Sequence, residues 1–189
     1  MICYKKINLE CGTALKTFVF DRITQFLSGT EVTRVMSEII SLPEEMISTI
    51  NVELKRYNVP AIEYCRVYLR PKNDIQFSHI DGVGEVLHCA INIPLHGGEN
   101  SKFQWLGGDY SVSLVNLPKT NQKAFAIKWN SEPIVIESIE MIDGCYLVRI
   151  DQPHQAIASA DSDRWVFTMR FTGNPTFEEL YDRLSASNI

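Results

Sequence analysis

The sequence predicts a mainly β fold with N-terminal helices, folded as a double-sheet jelly roll, or double-stranded β-helix. Three observations lead there. From Ile62 onward the apolar residues change from helical spacing to a period of two. About eight short strand-like runs follow, separated by Gly, Pro and Asn turns. Neither a GxGxxG nor a Walker sequence occurs, so folds that cradle nucleotides in βαβ units lack support.

The first sixty residues read as a mixed, largely helical support region. Ser28-Gly29-Thr30 precedes Val32, Val35, Met36, Ile39 and Ile40, whose spacing of three and four predicts an amphipathic helix. A second helix starts at Leu42-Pro43-Glu44-Glu45, with Pro43 in its first turn and the two glutamates favouring the N-terminal dipole. It runs through Met46, Ile47, Ile50 and Leu54 and stops near Asn58, before Pro60.

Tyr64, Arg66, Tyr68 and Arg70 then alternate with Cys65, Val67 and Leu69 as in a half-buried strand. After the turn Pro71-Lys72-Asn73-Asp74, Ile75 to Ser78 leads into His79. Further strands are predicted over Val86 to Pro94, Lys102 to Leu106, Ser111 to Leu114 and Ala124 to Trp129. Three more follow over Ile134 to Ile139, Cys145 to Ile150 and Trp165 to Phe171. Asn174-Pro175-Thr176 caps a short closing helix, Phe177 to Leu184. The expected organisation is one domain over 1–189, with support region 1–60, jelly-roll core 62–173 and a helix and tail over 174–189.

Composition narrows the function. The chain has 189 residues, of which 45% are hydrophobic and 22% charged, enough apolar material for a buried core. A net charge of −5 provides no general attraction to nucleic acid or to an anionic membrane. No run approaches the length of a membrane span, and the N-terminus lacks the apolar stretch of a signal peptide. The five cysteines are scattered without a CxxC pair, which points to free thiols in a reducing cytosol.

The chemistry-bearing residues are few. His79-Ile80-Asp81 sits between two strand patterns, where positions i and i+2 project to the same side. His154 ends another strand, in Asp151-Gln152-Pro153-His154. Two imidazoles and a carboxylate form the set that holds Fe(II) on one face and leaves positions open for a co-substrate and oxygen. A lone His-x-Asp is weakly specific, since a loop histidine followed by a turn aspartate matches it equally. Arg164 and Arg170 share one face of the last strand with Val166 and Thr168, opposite Trp165, Phe167, Met169 and Phe171. An inward guanidinium offers a planar fork for a carboxylate, whereas on an edge strand Arg170 would face solvent.

In order and spacing, His-x-Asp, distal His and Arg ten residues on resemble the Fe(II)/2-oxoglutarate-dependent oxygenases. The segments RVYLRPKNDIQFSHID, LHCAINIPLHGGENSKFQW, YLVRIDQPHQA and RWVFTMRF are similar to small members of the aspartyl/asparaginyl β-hydroxylase-like and prolyl-hydroxylase-like kinds. The resemblance covers about residues 62–173. It implies His79, Asp81 and His154 as iron ligands and Arg164 as the partner of the distal carboxylate of 2-oxoglutarate. Asn92 and Tyr68 are implied as hydrogen-bond partners of that co-substrate, with Arg170 as the alternative arginine. Trp105 matches a tryptophan often found after this strand and equally suits the core. The implied activity consumes O2 and hydroxylates a C–H bond of an amino acid, a protein side chain or a small metabolite.

The chain departs from that pattern in two places. Ala156-Ile157-Ala158-Ser159 stands where relatives often have an asparagine, and Val166 stands where they often have serine. The Arg-x5-Arg spacing is also similar to that of the nucleic-acid demethylating oxygenases, but the acidic balance and the lack of a basic aromatic stripe oppose it. Two other readings share the architecture: a cupin-like metalloenzyme without 2-oxoglutarate and a non-catalytic binding module. Cupins usually carry His-x-His with a downstream Glu, which this chain lacks. His88 lines a pocket or hydrogen-bonds in the core; Asp151 orients a ligand or caps a turn; His96 sits in a turn. The N-terminal helices and the stretch Glu99 to Lys123 are expected to shape substrate choice.

Overall fold

A computed structural model describes residues 1–30, 32–82, 85–116 and 123–186. Residues 117–122 of the stretch expected to shape substrate choice, and 187–189 of the tail, lie outside them. The chain opens with β1 (Tyr4–Ile7), α1 (Gly12–Leu27), β2 (Met36–Ile39) and α2 (Glu44–Arg56). It continues through β3 (Ile62–Arg70), β4 (His79–Ile80), β5 (Cys89–His96) and β6 (Lys102–Gly107). A hairpin of β7 (Tyr110–Asn116) and β8 (Lys123–Trp129) precedes β9 (Ile134–Ile139) and β10 (Cys145–Arg149). β11 (His154–Ile157), β12 (Arg164–Phe171) and α3 (Phe177–Ala186) complete the order.

These strands form two six-stranded sheets, ordered β1-β10-β5-β12-β3-β2 and β7-β8-β4-β11-β6-β9. Every strand pairing among the described residues is antiparallel. From β3 to β6, and again from β9 to β12, successive strands alternate between the sheets. That is the winding of a double-stranded β-helix, as the sequence predicts.

The first sheet has to bury both of its faces. Cys65, Val67 and Leu69 of β3, with Phe167 and Met169 of β12, pack against Leu15, Val19 and Ile23 of α1. Ile50 and Leu54 of α2, and Leu180 and Leu184 of α3, complete this layer. The alternate residues of the same strands turn toward the second sheet. There Ala90, Phe103, Trp105, Tyr146, Val148 and Ile150 build a second apolar cluster. No helix among the described residues is long and apolar enough to cross a membrane.

The support region differs from expectation. Tyr4–Ile7 and Met36–Ile39 are strands, and the predicted amphipathic helix over Val32 to Ile40 does not form. Met36 to Ile39 pairs with Leu69 to Arg66 and covers what would otherwise be the open edge of β3. Its own Ile39 and the flanking Val35 and Ile40 are β-branched and fit an extended backbone. The helix missed by the sequence reading is α1, whose buried ridge Leu15, Val19, Ile23, Leu27 advances in steps of four. Pro43 is the N-cap of α2 rather than part of its first turn. β4 contains only His79 and Ile80, and His154 begins β11 instead of ending the strand before it. Pro153, lacking an N–H, separates the two as the chain crosses between sheets.

α1 and α2 are joined by one buried carboxylate. Glu53, 4% exposed on α2, accepts the N–H groups of Glu10 and Cys11 at the start of α1. Glu53→Ala leaves two donors unmet, so an unfolding midpoint shift equivalent to about 1–3 kcal/mol is expected in urea titrations.

Candidate metal centre

β4 and β11 are neighbours in the second sheet, with His79 directly opposite His154. That register brings the two imidazole centroids to 4.4 Å. Asp81 lies one residue beyond β4, where its N–H donates to Ile150 O (3.1 Å) and its carbonyl accepts from Leu87 N–H (2.9 Å). Those two bonds fix the backbone so that its side chain returns to the side of His79.

Both imidazoles have their Nδ1 on a main-chain carbonyl: His79 on Phe77 O (3.1 Å) and His154 on Gln152 O (2.9 Å). Each of those carbonyls can hold an Nδ1 proton, which would leave the Nε2 atoms to bind a metal; both face Asp81 Oδ1, at 3.1 and 3.9 Å, and the nearer, that of His79, is within hydrogen-bond reach of it. One donor atom from each of the three residues lies within 4.8 Å of the others. Adjacent ligands about 2.1 Å from one ion stand about 3 Å apart, a spacing His79 and Asp81 already have and to which His154 would have to draw in.

The electrostatics suit a cation. Burial raises the Asp81 carboxyl, but the His79 hydrogen bond and the Arg170 charge outweigh it and hold the group well below the usual carboxylate range. Burial, aided by the neighbouring His79, pushes the His154 imidazole down to about 3, so it stays neutral with its lone pair available.

The two arginines of β12 differ sharply. β12 lies between β5 and β3, so neither arginine is on an edge, and each is 5% exposed. Arg170 donates to Asp81 Oδ2 (2.6 Å) and to Thr168 Oγ1 (2.6 Å). Arg164 has no carboxylate partner among the described residues. Burial and the charge of Arg70, opposite it on β3, push its guanidinium down to about 9.

Around these groups is a narrow cavity of about 40 Å³ between the sheets. Its walls include Tyr68, Asn92, Arg164 and Arg170, with the three candidate ligands. All seven residues selected from the sequence therefore reach one place. Burial, then the Asp81 charge, raises the Tyr68 phenol, which stays protonated and able to donate. Arg70 and Gln76 also line the cavity and were missed. The Gln76 amide stands 3.1 Å from His79 Nε2. Arg70 shares a strand face with Tyr68, the one signal that would have found it.

Other expected residues lie elsewhere. His88 Nδ1 meets Asp151 Oδ2 at 3.0 Å, and Asp151 also faces Arg149 at 3.7 Å, so Asp151 orients no candidate ligand. His96 packs against Trp165, with centroids 5.0 Å apart. Trp105 is fully buried in the core and donates its indole N–H to Arg149 O (2.8 Å).

No protein-family model matches the chain, and no curated protein matches it in sequence. Solved structures do match in fold. One is the viral collagen prolyl hydroxylase of Paramecium Bursaria Chlorella virus-1 in its 2OG complex, at TM-score 0.50 and 11% identity. That match covers 89% of this chain and 94% of the other. Another is the epimerase SnoN in complex with Fe3+, alpha ketoglutarate and nogalamycin RO, at TM-score 0.51 and 12% identity. It covers 88% of this chain and 77% of the other. At such identities the likeness is one of fold, and it agrees with the alternating two-sheet topology.

Of the four histidines, only His79 and His154 are expected to matter for metal binding. In titrations with Co(II), His79→Ala and His154→Ala should abolish the ligand-field absorption that His88→Ala and His96→Ala retain.

Proposed function

We propose that this chain is an Fe(II)- and 2-oxoglutarate-dependent oxygenase that hydroxylates a C–H bond of an amino acid, a protein side chain or a small metabolite. One observation carries the reading. A compact His-Asp-His donor group shares its cavity with a buried guanidinium, Arg164, that has no carboxylate among the described residues. A metal site alone would not need that second feature. A two-ended co-substrate, chelating at one end and acidic at the other, uses both. The fold likeness to a prolyl hydroxylase in its 2OG complex and to SnoN with Fe3+ and alpha ketoglutarate supports the same reading.

With iron bound at the three ligands, 2-oxoglutarate and O2 supply the oxidising power for C–H hydroxylation, leaving succinate and CO2. The chain's residues divide the remaining work. His79, Asp81 and His154 would hold the ion. Arg170 spends its donors on Asp81 and Thr168, keeping that carboxylate ionised and aimed. Arg164 is therefore the arginine left for the distal carboxylate of 2-oxoglutarate. Asn92 and Tyr68, on the strands flanking β12, hydrogen-bond the same molecule. The net charge of −5 disfavours a nucleic-acid substrate, and five free cysteines suit a reducing cytosol.

Oxygen-free addition of Fe(II) and then 2-oxoglutarate should produce the weak visible charge-transfer band of a chelated complex, absent in Asp81→Ala. Arg164→Met should raise the 2-oxoglutarate concentration needed for half the band by about ten-fold or more. A wild-type protein that gives no band sinks the proposal.

A further inference from the structure

We propose that Arg70 joins Arg164 in a two-guanidinium seat for the distal carboxylate of the co-substrate, with Asp74 as the counter-ion that holds Arg70 while the seat is empty. The inference rests on the 2-oxoglutarate reading above and concerns a residue that reading does not use.

The register places Arg70 directly opposite Arg164 in the β3–β12 pair. Residues so paired have their Cβ atoms about 5 Å apart on one face, and like charges there repel. Both arginines are buried, at 6% and 5% exposure, and both line the cavity. Only one carboxylate among the described residues answers them: Asp74 Oδ2, 2.5 Å from Arg70 Nη1. One positive charge is thus left over in a poorly hydrated place. Burial lowers the proton affinity of both groups, and their mutual repulsion lowers that of Arg164 further. A bound carboxylate relieves the repulsion and the desolvation together.

Asp74 is built to stay where it is. Its N–H donates to Pro71 O (3.1 Å) and its carbonyl accepts from Ala158 N–H (2.8 Å), which fastens the turn to the second sheet. The neighbouring Asn73 N–H donates to Ser159 O (2.8 Å). A carboxylate on so fixed a turn holds Arg70 on the cavity wall and keeps its fork from swinging out to water. The seat then meets an incoming acid with both forks already ordered.

The test measures binding of two acids to the Mn(II)-loaded protein by calorimetry without oxygen: 2-oxoglutarate, and 2-oxopentanoate, which lacks the distal carboxylate. Arg70→Gln should weaken 2-oxoglutarate about ten-fold while changing 2-oxopentanoate by less than about two-fold. Asp74→Asn, which keeps an acceptor oxygen for the Arg70 fork and removes a competing negative charge, should leave 2-oxoglutarate binding unchanged or tighter. The seat is overturned if Arg70→Gln binds 2-oxoglutarate as the wild type does, or loses both acids alike. It is also overturned if Asp74→Asn weakens 2-oxoglutarate as much as Arg70→Gln does, because the ion pair would then be a structural strut. Failure of the wild type itself to bind 2-oxoglutarate refutes the underlying oxygenase reading, and the seat with it.

Discussion

β12 is buried on both faces, and most of the structure follows from how its two faces are used. Phe167, Met169 and Phe171 turn to the helices and find an apolar layer. Arg164, Val166 and Arg170 turn to the space between the sheets. An arginine cannot be left in such a space without an anion, because its charge has lost water and gained nothing in return. Arg170 meets this demand with Asp81, a side chain held from the other sheet. Arg164 meets it with nothing that belongs to the described chain. The fold therefore carries a standing need for an acid at one end of its cavity.

The Asp81 carboxylate connects that strand to the donor group. Its Oδ2 is taken by Arg170 and its Oδ1 faces both histidines, so its two oxygens have separate duties. A buried carboxylate with no such partners would take up a proton. Here the His79 hydrogen bond and the Arg170 charge keep it ionised despite burial. The histidines are set by simpler means, a main-chain carbonyl on each Nδ1 and a shared register across β4 and β11.

Much of this is legible in the sequence where a strand alternates strictly. The period-two patterns of residues 62–70 and 164–171 place Tyr68, Arg164 and Arg170 on their faces without knowledge of the partner strands. The N-terminal third is less readable because its signals conflict. Val32 to Ile40 has helical spacing but β-branched residues, and the vacancy beside β3 decides in favour of a strand. α1 is obscured by Phe18, Phe20 and Phe26 outside its four-step buried ridge, which spread its apolar surface around the helix. Arg70 is a subtler case. Its polar strand face is visible, but sequence cannot say whether that face meets water or a cavity, and only the pairing with Arg164 shows that two charges are stacked. Long-range register is the information a single sequence lacks here.

Charge balance gives the proposed ligands an order. Around the cavity, Arg70, Arg164 and Arg170 contribute three positive charges, and Asp74 and Asp81 two negative ones, for a surplus of one. His154, held neutral by burial, adds nothing to this sum. A divalent cation alone would raise the surplus to three, which the low-dielectric interior resists. A dicarboxylate alone would reverse it to minus one beside Asp81, crowding a carboxylate already buried. Taken together the two ligands cancel, and the surplus returns to one. Each therefore lowers the cost of the other, a positive coupling that linkage makes reciprocal. The arginine seat and the metal ligands are thus two parts of one electrostatic design, with Arg170 between them holding Asp81 to the metal side and leaving Arg164 open to the acid.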